Sequence, residues 1–152
     1  MRLASLAALV GAASGVVTDC GSPGYKISSL TIGPDPPTPG GLARLDCSGT
    51  VSAPAGVSGG SIAMTVFYLG IPLYSAPPAT TCGNTTIQLP LGAGTIVIGA
   101  FQSCPVAAGQ AADVNVTVSL PTTIPPGPYE IIWNATDQSN NPLYCLNASF
   151  TE

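Results

Sequence analysis

Apolar and polar residues alternate along most of this chain with a period of two. The segment "ADVNVTVSLP" (112–121) shows it most cleanly: Val114, Val116, Val118 and Leu120 share one parity, while Asn115, Thr117 and Ser119 share the other. Such alternation marks a strand with one buried face. "LARLDCSGTV" (42–51) sets Ala43, Leu45 and Cys47 against Arg44 and Asp46, and "YKISSLTI" (25–32) has the same period. "SIAMTVFYLGIPLYS" (61–75) is a β-branched and aromatic run with a break at Gly70. "TTIQLPLGAGTIVIGAF" (85–101) reads as a hairpin about Gly92 and Gly94. "TIPPGPY" (123–129) is a turn, and "YEIIWNAT" (129–136) and "PLYCLNASF" (142–150) follow as strands. "GPDPPTPGG" (33–41) has four prolines that lack backbone donors, so it belongs on the surface. Beyond Asp19 there is no helix-period stretch, linker or repeat. About seven short strands with turn signals between them predict an all-β sandwich.

Four N-x-S/T acceptor sites, Asn84, Asn115, Asn134 and Asn147, orient those strands. A glycan must face solvent. Asn115 outward turns Val114, Val116 and Val118 inward. Asn134 outward turns Tyr129, Ile131 and Trp133 inward, and Asn147 outward does the same for Leu146, Ala148 and Phe150. The single tryptophan therefore adjoins a sugar site because the two occupy opposite faces of one strand. The inward set is almost purely apolar. Two sheets can mesh such faces into a filled core or splay around an apolar cavity, and alternation reports only burial.

Composition narrows the class. At 152 residues the chain fits one domain, and only 7% of its residues are charged against 45% apolar. The formal charge is −4, and the basic residues are Arg2, Lys26 and Arg44 alone. That excludes nucleic-acid binding, which needs clustered cations. Residues 1–15 read as an export signal: "MR", the apolar stretch "LASLAALVGAA", then small residues near Ser14 and Gly15. The apolar stretch falls short of the roughly 20 residues that span a bilayer. The mature domain is expected over 19–152, in a secreted or endolysosomal compartment where disulfides persist. Five cysteines, Cys20, Cys47, Cys82, Cys104 and Cys145, suit two bridges and one odd thiol.

Catalysis finds little support. The absence of histidine removes the usual general base, zinc ligand and pH switch. The carboxylates Asp35, Asp46, Asp113, Glu130 and Asp137 fall in turns or on outward positions. "DQSNN" has one acid and lacks calcium-loop spacing. No glycine-rich phosphate loop precedes a helix. No metal or cofactor is expected.

The ordered set "DCGS" (19–22), "PDPPTPG" (34–40), "LGIPL" (69–73) and "LPTTIPPGPYEIIWNATDQSNNPLYC" (120–145) resembles the ML lipid-recognition domains. That family includes sterol carriers of the Niemann–Pick type C kind and fungal phosphatidylglycerol/phosphatidylinositol transfer proteins. The likeness runs from about Asp19 to Phe150. It implies an immunoglobulin-like sandwich of about seven strands in two antiparallel sheets with a lipid cavity between them, a Cys20–Cys145 bridge and a Cys82–Cys104 bridge, which leaves Cys47 as the odd thiol. Cys47 alternates inward with Leu45 and has no basic neighbour to lower its pKa, so it reads as buried and free rather than reactive. The early loop lacks the sterol carrier's extra bridge and looks closer to the fungal proteins.

The resemblance implies non-catalytic binding and transfer of a sterol or phospholipid by a monomer. The alternative is a lipid-dependent accessory acting with a membrane-protein receptor. Inward residues expected to line the cavity are Phe67, Leu69, Ile71, Leu73, Val116, Val118, Ile131 and Trp133, with Ile124 on the turn bordering the mouth. In the 61–75 run the opposite parity (Met64, Val66, Tyr68, Tyr74) is the competing choice. The segment Ile87–Phe101 is unusually apolar, and it reads either as a core hairpin or as a lip that touches membranes during exchange. With Lys26 and Arg44 the only mature cations, a sterol or neutral lipid is favoured over an anionic headgroup.

Overall fold

Eleven strands form two antiparallel sheets in the computed structural model, which describes residues 15–33, 40–123 and 125–151. All but the last residue of the expected export signal (1–15), the core of the proline-rich loop (34–39), Ile124 and Glu152 lie outside the described residues. The strands are β1 (Val16–Asp19), β2 (Tyr25–Gly33), β3 (Leu42–Val51), β4 (Ser61–Tyr68), β5 (Ile71–Ser75), β6 (Ala79–Thr80), β7 (Asn84–Gln88), β8 (Thr95–Gly99), β9 (Ala111–Ser119), β10 (Pro128–Thr136) and β11 (Pro142–Thr151). One sheet runs β1-β11-β10-β4-β5, with β6 also on β4; the other runs β2-β3-β9-β8-β7. The count exceeds seven because the 61–75 and 85–101 runs each divide at a turn and short edge pieces join β4 and β11.

The expected faces hold on most strands. Ala43, Leu45 and Cys47 of β3, Val114, Val116 and Val118 of β9, and Tyr129, Ile131 and Trp133 of β10 are buried. In β2 the alternation slips: a bulge between Ile27 and Ser29 carries Ile27, Leu30 and Ile32 to the half-buried side together. One extra residue changes the parity beyond it. The four sequon asparagines lie on the outward parities of β7, β9, β10 and β11.

In β4 the opposite parity wins. Ile62, Met64 and Val66 are buried, while Phe67 is half-buried on the outer face, paired with Glu130 of β10. Leu69 and Ile71 are 58% and 67% exposed. The expectation that Phe67, Leu69 and Ile71 point inward is thus corrected. The run is apolar on both parities, so alternation could not choose between them, and the register is set by the neighbouring strand β10.

The two ends of the sandwich differ. At one end Tyr25, Phe101 and Tyr144 pack their rings with centroids 5.2 to 6.3 Å apart, and Tyr25 donates a hydrogen bond to the Ala112 carbonyl. Buried Cys47 lies against this cluster as a free thiol. Burial pushes its pKa up from 9.0 to about 11, and the neighbouring Tyr25 hydroxyl offsets part of the rise. It is a small apolar filler, not a nucleophile. Cys20–Cys145 and Cys82–Cys104 are bonded as expected, and both lie toward this closed end. Cys82 pairs with Phe101, and Cys145 lies beside Asn134, well along β10 from Tyr129.

Candidate functional site

At the opposite end the sheets stand apart around a cavity of about 650 Å³. Its floor is apolar and comes from both sheets: Val66 of β4, Ile96 of β8, Val118 of β9, and Tyr129 and Ile131 of β10. Its mouth is lined by exposed and half-buried residues of two connections and one edge strand. These are Pro90, Gly92 and Ala93 at the β7–β8 tip, Pro121, Thr123 and Pro125 before β10, and Leu73 and Tyr74 on β5. A smaller void of about 20 Å³ continues the gap inward, lined by Val116, Trp133 and Ala148 among others, and shares Val118, Leu120, Ile131 and Phe150 with the cavity.

Local sequence builds each wall. The β7–β8 connection is a single 3-10 turn at Pro90–Gly92, with proline opening it. Gly94 then takes φ +122°, and a Cβ there would stand 2.1 Å from the Ser119 carbonyl oxygen. Only glycine lets this hairpin tip close onto the end of β9. On the other side, a bulge between Val66 and Phe67 in the β4–β5 pairing leaves Leu73 without an opposite residue, between Pro72 and Tyr74. The bulge is what brings Leu73 to the cavity, despite its 64% exposure. The loop before β10 is tied by two tyrosines: Tyr68 donates to the Pro126 carbonyl and Tyr129 to that of Pro125, each at 2.7 Å. Tyr129 also packs against Tyr68 at 4.8 Å and stacks on Phe150.

Of the expected lining residues, Leu73, Val118 and Ile131 reach the main cavity, and Val116 and Trp133 reach its inner extension. Phe67, Leu69 and Ile71 do not. Alternation did not single out the rim residues Leu89, Pro90, Gly92, Ala93, Pro121, Thr123 and Pro125, because turns have no period. Their signal was the apolar and proline-rich composition of those loops. The Ile87–Phe101 segment is a core hairpin: Ile87, Ile96, Ile98 and Phe101 are all buried. Among the described side chains of the segment, the large apolar one exposed by more than a third is Val97. Ile96 and Ile98 turn inward along β8, so neither can form an apolar lip.

Among the described residues no charged side chain lines the main cavity. The chain has no Asp, Glu, Lys or Arg between Cys47 and Ala112. The two cations among the described residues are elsewhere. Lys26 lies toward the closed end, opposite Thr50. Arg44 points outward and is paired with Asp46 at 3.0 Å, which raises its pKa further. The Trp133 indole nitrogen and the Tyr144 hydroxyl are buried without a hydrogen-bond partner. Among the described residues no three His, Cys, Asp or Glu side chains group as a metal site, and no helix is long and apolar enough to cross a membrane.

A family model described as the ML domain matches residues 15–152. The chain is 29% identical over 129 residues to the phosphatidylglycerol/phosphatidylinositol transfer protein of Mycosarcoma maydis. That alignment takes in 82% of this chain but 58% of the relative, so the chain spans a little over half the length of the curated protein it matches. Among solved structures, a Niemann–Pick type C2 protein from the Japanese carpenter ant superposes with a TM-score of 0.60 at 18% identity, covering 90% of this chain and 98% of that one. Chicken MD-1, solved in complex with lipid IVa, superposes with a TM-score of 0.58 at 13% identity, covering 89% and 86%. At those identities the two structures speak for a shared fold.

Proposed function

The chain belongs to the ML-domain family, and from that membership we propose that it binds a lipid between its two sheets and carries it between membranes, without catalysis. The observation that carries this reading is the cavity itself: about 650 Å³, apolar on its floor, open at one end and free of charge. Pockets that hold small ligands span about 300–1,000 Å³, with mostly hydrophobic walls. Burying hydrocarbon there gains about 0.8 kcal/mol per methylene, and no ionic partner is needed.

The same walls favour an uncharged lipid. An anionic phosphate at the mouth would find no lysine or arginine among the described lining residues. A sterol, or a lipid whose headgroup carries no net charge, meets no such penalty. Phosphatidylglycerol and phosphatidylinositol, for which the fungal relative is named, have anionic headgroups, and their acyl chains would fit the same floor. The head of such a lipid would have to stay in water.

Native mass spectrometry of the protein purified from its host tests the reading directly. A co-purifying neutral lipid supports it. A protein that carries no lipid, and takes up neither a fluorescent sterol nor a fluorescent phospholipid in solution, would falsify it.

A further inference from the structure

Beside the cavity mouth the protein exposes a group of apolar side chains. Of the six large hydrophobic residues that are more than a third exposed among the described ones, three lie together on the β4–β5 hairpin: Leu69, Ile71 and Leu73, at 58%, 67% and 64%. A cluster of this kind on a soluble domain marks a contact surface. Leu69 is also unusual in its backbone. It sits at φ +53°, followed by Gly70 at +75°. Such turns ordinarily carry Asn-Gly or Asp-Gly, whose first residue tolerates positive φ. A branched apolar residue there carries a backbone cost and faces water. The tip is nevertheless held firmly: the Leu69 amide donates to the Pro128 carbonyl at 3.1 Å, and Gly127 packs against Tyr68 and Leu69.

We propose that this hairpin tip inserts Leu69 and Ile71 into a lipid bilayer by apolar contact alone, so that the cavity mouth opens onto the membrane. The partner follows from continuity and from charge. Leu73 belongs both to the exposed cluster and to the cavity wall, so a lipid crossing the rim passes directly over the patch. This rests on the lipid-carrier reading above. The whole stretch from Cys47 to Ala112 lacks a charged residue, and Glu130, which shares a surface hollow with Gly70, is tied to the Asn147 amide, so the hairpin offers anionic headgroups no attraction. Docking must then be indifferent to surface charge and to salt, unlike polybasic membrane attachment.

The test is flotation with phosphatidylcholine vesicles, with and without anionic lipid, at low and high salt. The wild type should co-float with neutral vesicles, and anionic lipid or 0.5 M salt should change the bound fraction by less than about twofold. The variant Leu69→Asn/Ile71→Thr suits both backbone sites, since Asn accepts positive φ and Thr favours strands. It should keep the wild-type melting temperature and bind a fluorescent sterol analogue in vesicle-free solution as before, yet lose vesicle binding at least tenfold. No flotation of the wild type, a requirement for anionic lipid, or an unaffected variant overturns the proposal. So does light scattering that shows a dimer which the variant dissolves, because the patch would then serve a second copy. Loss of sterol uptake by the wild type alone would count against the carrier reading and leave the docking result standing.

Discussion

Tyr129 stacks on Phe150 with ring centres 5.4 Å apart and planes 12° apart, while its hydroxyl holds the Pro125 carbonyl at 2.7 Å. One side chain thus joins the cavity floor to its rim. Tyr129→Phe keeps the ring and removes the tether. The loss should be about 1 kcal/mol in stability, seen as a melting point lower by a few degrees. Ligand dissociation should speed up several-fold in stopped-flow displacement, because the loop bordering the mouth is freed.

Filling the cavity should abolish uptake without unfolding the sandwich. Val118 contributes to the floor from β9 and is 9% exposed. Val118→Phe projects a ring into open space, so its strain cost should stay at or below the usual 1–3 kcal/mol of overpacking. Affinity for a fluorescent sterol should fall at least tenfold. Phe67→Ser, on the outer face opposite Glu130, should leave affinity unchanged.

These two variants also show how far the sequence could be read. Val118 was legible because "VNVTVS" offers a single apolar parity, and a sequon residue, Asn115, sits on the other. Phe67 was misassigned because "AMTVFYLG" is apolar on both, so its orientation depends on β10, a strand some sixty residues away in the chain. Leu73 reaches the cavity through a bulge that no local pattern announces. The bridges and buried Cys47 were anticipated through family likeness, since spacing alone leaves the pairing open. The rim lies in turns, where hydrophobic periodicity carries no information.

The two bridges should contribute unequally. In the loop-entropy model, Cys82–Cys104, closing 22 residues, is worth about 3.4 kcal/mol, and Cys20–Cys145, closing 125, about 4.9 kcal/mol. Paired Cys→Ala variants compared by urea denaturation check the order. A larger loss for the shorter loop would contradict it.

Alkaline stability should report Cys47. Burial keeps its proton in place up to about pH 11, whereas the exposed thiol releases it near 9. The unfolded state therefore gains from deprotonation first. Stability should be intact below pH 9 and fall between 9 and 11 at up to about 1.4 kcal/mol per pH unit. Burial also raises Tyr25 and Tyr144, which add to the decline above their ordinary value of 10.0. Cys47→Ala should flatten the slope between pH 9 and 10, and the wild-type thiol should resist alkylation at pH 8.

Glycan occupancy should divide by geometry. Asn84 and Asn134 are exposed. Asn147 is half-buried and donates its amide to Glu130 at 2.8 Å, and Asn115 packs against the Gly99 backbone, leaving no room for a Cβ there. Peptide mapping after enzymatic deglycosylation should find sugar at Asn84 and Asn134, with little at Asn115 and Asn147.

Both covalent bridges lie toward the end closed by Tyr25, Phe101 and Tyr144, and neither crosses the rim. A sandwich pinned in this way can part only at its free edge, as a peg opens at its jaws while the spring stays shut. On the proposed carrier reading, loading and unloading would call for a small outward tilt of the β4–β5 and β7–β8 tips about a cross-linked base.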